Sequence, residues 1–157
     1  MNERVVVASN DQPPELAMRA FLLLTSLLAL PAWAGDKPVV EVDLVYATRG
    51  ASFVDPALAD VASDLKGLPY QHFDRVAGAS LPLVAGEKVS ADLGRGVTVT
   101  VTLASVSDAG ATVRVRVTRD GASVLDTEVE RPLDRASVLS VGKADAGVLV
   151  IPVLVHR

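Results

Sequence analysis

Residues 97–103 read Val97-Thr98-Val99-Thr100-Val101-Thr102-Leu103, an unbroken alternation of apolar and polar side chains. A period of two places Val97, Val99, Val101 and Leu103 on one face of a strand and the three threonines on the other. The pattern recurs downstream. Val113, Val115 and Val117 alternate with Arg114 and Arg116, and Leu125, Thr127 and Val129 alternate with Asp126, Glu128 and Glu130. Such segments are half-buried antiparallel strands with one face in water.

The connections between them carry turn residues. A two-residue Asp120-Gly121 turn would set Val115 opposite Asp126, an apolar residue facing a charged one, and a one-residue change of loop length reverses that. Three-residue loops are therefore expected at Asp108-Ala109-Gly110 and Arg119-Asp120-Gly121, with glycine in the left-handed position. They pair Leu103 with Val115, Val115 with Leu125, and Arg114 with Asp126.

Upstream, residues 38–48 alternate Val40, Val42, Leu44 and Tyr46 against Glu41 and Asp43, and predict a first strand. A single helix is expected over about 55–66. Asp55 caps it, Pro56 takes the first position and Gly67 follows its end. Leu58, Val61, Ala62 and Leu65 fall on one face, which must lie on a sheet. A strand is expected in the segment around His72 and Phe73, with Tyr70 and His72 on one face and Gln71 and Phe73 on the other. Near the end, residues 147–157 are apolar almost throughout, as expected of a strand in mid-sheet with both faces covered. Pro152 cannot donate a ladder hydrogen bond and implies a bulge or an edge position there. The fold expected is mainly β: an antiparallel β-sandwich or a partly open barrel with one helix.

The start of the chain reads differently. From Met18 an apolar run, Ala20 to Leu30, follows the basic Arg19 and ends in Pro31-Ala32-Trp33-Ala34. A spanning helix needs about 20 apolar residues, roughly twice this run. A short basic start, an apolar stretch and a small-x-small end describe a secretory signal peptide with cleavage after Ala34. Residues 1–17 carry Glu3, Asp11 and Glu15 against Arg4, an acidic balance foreign to a signal start, and read as an over-extended start ahead of Met18. Residues 1–34 are thus a leader and residues 35–157 a single β-rich domain.

Removing the first 34 of 157 residues leaves 123, an ordinary domain size. The loss takes two of 15 basic and three of 19 acidic residues, leaving 13 against 16. No basic excess remains to hold nucleic acid. There is no cysteine, so neither a disulfide nor a lipid-anchored cysteine is available. Only Tyr46, Tyr70, Phe53 and Phe73 remain as aromatics, too few for the girdles of an outer-membrane barrel.

Catalytic groups are scarce. Of two histidines, His156 is penultimate, so His72 is the one base available to a hydrolase, and no Gly-x-Ser-x-Gly elbow accompanies it. His72 and His156 without cysteine do not make a zinc set. Asp126, Glu128 and Glu130 share a strand face, but arginines across from them favour ion pairing over calcium. Gly94-Arg95-Gly96 lacks the Lys-Ser/Thr of a phosphate loop and reads as a turn. No catalytic residue, metal site or cofactor is assigned. Tyr70, His72 and Phe73 are the candidates for binding a small molecule or polymer, and Arg114, Arg116, Asp126 and Glu128 those for a partner face.

The helix at 55–67, the basic-then-acidic hairpin and the ending at 140–155 together resemble small exported bacterial envelope proteins of unknown function. The resemblance spans most of residues 38–157. It implies a periplasmic or secreted β-rich domain and brings no catalytic or ligand residue with it. The expected role is a non-catalytic interaction or envelope-assembly module whose partner is another envelope protein. A small-molecule or polymer-binding domain is the alternative, and a His72 hydrolase the remote one.

Mass spectrometry of the protein from its native host should find Gly35 at the N-terminus. A stable product that retains Leu22–Leu30 would sink the export reading.

Overall fold

Alternation alone leaves open how the strands meet. In the computed structural model, which describes residues 36–157, they form two sheets with opposed apolar faces. Pairing is antiparallel throughout except for the short parallel pair of Phe53–Val54 with the strand that starts at His72. The leader expected over residues 1–34 lies outside the described residues. The first sheet holds β1 (Val39–Thr48), β2 (Phe53–Val54), β3 (His72–Pro82), β8 (Ser137–Ala144) and β9 (Gly147–His156), in the order β2-β3-β1-β9-β8. The second is a meander of β4 (Lys88–Asp92), β5 (Val97–Ser107), β6 (Gly110–Arg119) and β7 (Ala122–Arg131). No strand pairs across the two, so the architecture is a sandwich and not a barrel.

The main core lies between the sheets. Val40, Val42 and Leu44 of β1 and Leu149, Ile151, Val153 and Val155 of β9 meet the alternate residues of β5 and β6. The other faces of β1 and β9 are also apolar in part. Val45, Ala47, Val150 and Leu154 pack under a helical segment. β9 is thus central and covered on both sides, as its sequence requires.

That segment sits where the capping signals put it, but it is not one α-helix. Pro56–Val61 is a 3₁₀ turn (η1), with Leu58 outside helical dihedrals at φ −99° and ψ 15°, and only Ala62–Leu65 (α1) is α-helical. The spacing of the buried side chains accounts for the change. Leu58 to Val61 is three residues, the 3₁₀ period, and Val61 to Leu65 is four, close to the α period. The Asp55 carboxylate caps the Ala57 amide at 2.9 Å. Asp64 fixes the far end by accepting from the Ala136 amide at 3.1 Å and pairing with Arg135 at 3.2 Å.

The hairpin registers differ from the expected ones by two residues. β5 and β6 are joined by a two-residue turn with Ser107 opposite Gly110, and β6 and β7 by another with Arg119 opposite Ala122. Asp120 and Gly121 have φ of 52° and 82°, the left-handed pair of a tight hairpin turn, which glycine adopts without strain. Uncorrected, such turns would set valines opposite charges. A bulge corrects each: Ala104 and Val124 are extra residues, so that Leu103 faces Val113 and Val115 faces Thr127. Compared with the three-residue loops, the offset is even, and every side chain keeps its face. β8 and β9 repeat the device, with an extra Val141 beyond the two-residue turn Asp145-Ala146.

Two further expectations are corrected. Pro152 is neither at a bulge nor on an edge. Pairing of β9 with β1 skips Asp43 and Leu44, opposite Pro152 and Ile151, and resumes in the same register. A missing amide is tolerated because the ladder opens locally. The alternation drawn through Tyr70 also fails, because β3 starts at His72 and both Tyr70 and Phe73 pack in the core beneath the helical segment.

Leu58 and Leu65 are 1 % and 0 % exposed, so replacing either with alanine should destabilise the domain by about 2–5 kcal/mol. Chemical denaturation measures this. A loss below roughly half a kcal/mol at both would show that the helical segment is peripheral.

Candidate functional site

The outer face of the four-stranded sheet is built by the registers just described. Lys88, Thr102, Arg114 and Glu128 form one cross-strand row, and Ser90, Thr100, Arg116 and Asp126 the next. The backbone thus sets Arg114 opposite Glu128, not opposite Asp126 as expected from sequence. Its side chain nonetheless reaches diagonally to Asp126, with Nε donating to Oδ1 at 3.0 Å and Nη2 to Oδ2 at 3.2 Å. Arg116 donates to Oδ2 through Nε at 3.1 Å and Nη2 at 2.8 Å. One carboxylate therefore lies in the grip of two guanidiniums. Beside them, Lys88, Thr100, Thr102, Arg114 and Arg116 line a shallow cleft of about 240 Å³.

Charge follows from that geometry. Hydrogen bonds from Arg114 and then Arg116 hold the Asp126 carboxyl at about 2, well below the usual carboxylate range, and the same contact pushes the Arg114 guanidinium up. The arginine side chains are more than half exposed, at 57 % and 53 %, so water and salt screen the pairs. Glu128 and Glu130 hold no ion pair among the described residues and leave their charge on the surface of β7.

The other sequence candidates do not converge on one site. His72 sits at the start of β3, its Nδ1 3.1 Å from the Ala51 carbonyl and its Nε2 2.9 Å from Asp74. Its ring tilts against Phe53 at 5.0 Å between centroids. Both nitrogens already face oxygen atoms, so neither offers a lone pair to a substrate without breaking a contact. Phe73 is buried at 2 % exposure and belongs to the core. Tyr70 is half-buried and lines a separate open cleft of about 320 Å³ with Arg49, Lys143, Asp145 and Gly147. Among the described residues, no group of three or more acid, imidazole or thiol side chains is placed to hold a metal ion, and no helix is long and apolar enough to cross a membrane.

Sequence reasoning missed the basic residues at the ends of strands, Arg49, Arg95, Arg119 and Lys143. They are scattered singly through the sequence, and only the tertiary structure brings their segments together. No sequence signal joined them, since Arg119 and Lys143 each have an aspartate within two residues and Arg95 sits between two glycines.

The depressed Asp126 value fixes the sign of one pH effect. Its pairing stabilises the fold fully above about pH 4, the ordinary value of an unfolded aspartate, and the contribution is lost as pH falls towards 2. Carbon-detected NMR titration should give Asp126 a midpoint near 2, returning towards ~3.9 in the R114Q/R116Q double variant. A wild-type midpoint near 4 would break the two-arginine clamp.

No protein family model, curated protein or solved structure matches this chain, and its role has to be read from its own residues.

Proposed function

We propose that this chain is an exported, non-catalytic binding domain of the bacterial envelope, which takes a protein partner along the free edge of its four-stranded sheet. The observation that carries this reading is β7. It is a ten-residue strand at the end of its sheet, with exposed residues along most of its length. A strand edge offers a row of unpaired amides and carbonyls to an incoming extended segment.

The other edges are less open to such pairing. β2 has two residues and β4 five. The edge of β8 is crossed by Arg119, whose Nη1 donates to the Lys143 carbonyl at 2.8 Å, and by Arg131, whose Nε donates to the Ser137 hydroxyl at 3.0 Å. Arg131 is itself the last residue of β7, so its bond ties only that end of the strand, and among the described residues no side-chain hydrogen bond crosses the rest of the β7 edge. Its inner face adds half-buried Leu125, Thr127 and Val129, and its outer face adds Glu128 and Glu130.

The acids also select the partner. A second copy aligned antiparallel on β7 would set carboxylates near carboxylates, which disfavours self-pairing. An extended segment that alternates basic and apolar residues would continue the row Lys88, Thr102, Arg114, Glu128 with a cation and extend the apolar ledge inside. Catalysis has little to support it, since both ring nitrogens of His72 already face protein oxygen atoms.

Proline scanning tests the edge directly. Of the neighbours Thr127 and Glu128, one amide points into the ladder with β6 and the other out of the sheet. T127P and E128P should therefore differ: one unfolds the strand, and the other leaves Tm within about 5 °C of wild type. The tolerated variant should lose a stoichiometric partner that the wild-type protein captures, after cross-linking, from its own envelope. An empty wild-type capture, or one that the tolerated proline leaves intact, overturns the reading.

A further inference from the structure

The end of the sandwich at which β1 and β8 finish and β9 begins collects cations that carboxylates do not neutralise. Arg95 lies in the turn before β5, with its Cζ 5.7 Å from the centroid of the Tyr46 ring. Arg119, at the end of β6, donates through Nη1 to the Lys143 carbonyl at 2.8 Å. Lys143 and Arg49 line the 320 Å³ cleft with Tyr70, Asp145 and Gly147. The Tyr46 ring joins the two groups, because it lies against Gly147, where an added Cβ would meet its edge at 3.0 Å. Among the described residues none of these four cations forms a salt bridge. The acids at this end include Asp145 in the cleft lining, Asp120, which folds over Gly96, and Asp92, which accepts from the Gly94 amide at 2.8 Å.

Two of the guanidiniums are held by neutral groups. A ring face and a backbone carbonyl orient Arg95 and Arg119 while leaving their charge and most of their N–H groups unspent. The contrast with Arg114 and Arg116 is direct, since both of those close on Asp126. Arg95 also has φ 52°, between Gly94 at 76° and Gly96 at 73°. A side-chain-bearing residue is disfavoured in that left-handed region, and such strain persists where the surroundings impose it. Here it delivers the arginine onto Tyr46.

We propose that this end of the sandwich binds a phosphate-type anion carrying at least two negative charges. One bidentate arginine satisfies a planar carboxylate. Here four cations come from four separate segments at one end of the sandwich. Arg49 and Lys143 line the cleft, while Arg95 stands on Tyr46 and Arg119 on the Lys143 carbonyl. They match instead a tetrahedral group whose oxygens are approached from several directions. A soluble phosphoester and an anionic lipid headgroup share this chemistry. The site is independent of the β7 edge, so failure of one leaves the other standing.

The test uses the full chain, labelled with ¹⁵N, in two arms. Sodium pyrophosphate should give saturable shifts at Arg95, Gly96, Arg119, Lys143 and Gly147, and salt should weaken them. In the second arm, vesicles of phosphatidylglycerol and of phosphatidylcholine are compared by flotation. Saturable shifts without flotation assign a soluble phosphoester, and flotation with phosphatidylglycerol alone assigns a headgroup. In either case R95Q/R119Q should weaken binding about tenfold or more, and R114Q/R116Q should not. If R95Q/R119Q disturbs folding, R49Q/K143Q replaces it, because among the described residues neither side chain donates a hydrogen bond. The proposal is overturned if neither arm shows binding. It is equally overturned if both double variants weaken binding alike, or if the variants at this end leave it unchanged.

Discussion

Phase is the constraint on which the rest of this fold depends. A strand repeats every two residues, so a hairpin that closes one residue early sends its whole apolar set into water. The turns at Asp108-Ala109, Asp120-Gly121 and Asp145-Ala146 are all as short as hairpin turns ordinarily become. Each would put its strands out of phase, and each has within a few residues, before or after it, a bulge that puts them back. Ala104 and Val124 absorb the mismatch at the surface, whereas Val141 turns into the core at 6 % exposure. Tight turns and a continuous valine core coexist only because of these three extra residues.

Once in phase, the sandwich has one face too many to bury. β9 is apolar on both sides and β1 on part of its second side, so a helical segment of ten residues is laid over the exposed half. Its side chains follow a mixed spacing of three and four, and the backbone changes from 3₁₀ to α to match. Asp64 ties that layer to the loop before β8. The polar half of the same face keeps Asp43 and Arg75 paired at 2.7 Å.

Charge is distributed according to the same geometry. Where cations and acids share a sheet face, as at Arg114, Arg116 and Asp126, they close on one another. Where cations come from the ends of different strands, as at Arg49, Arg95, Arg119 and Lys143, none forms a salt bridge among the described residues. β7 is the converse case, an edge whose acids outnumber the cations that reach them.

By itself the sequence determined the fold class, the strands and their buried faces, the cap and position of the helical segment, and the double-sided burial of residues 147–156. These depend on local period and turn chemistry, which neighbouring residues carry. It also determined that Arg114 and Arg116 would face acids, since an even shift in register leaves faces intact. The bulges, the register, the 3₁₀ geometry of η1, the ladder gap at Pro152 and the joint burial of Tyr70 and Phe73 were decided by the tertiary structure. Each depends on how a segment must bend to keep its apolar face against a partner distant in the chain. The basic end belongs to the same class: its residues are up to about a hundred positions apart, and only the packing of one sheet on the other makes them neighbours.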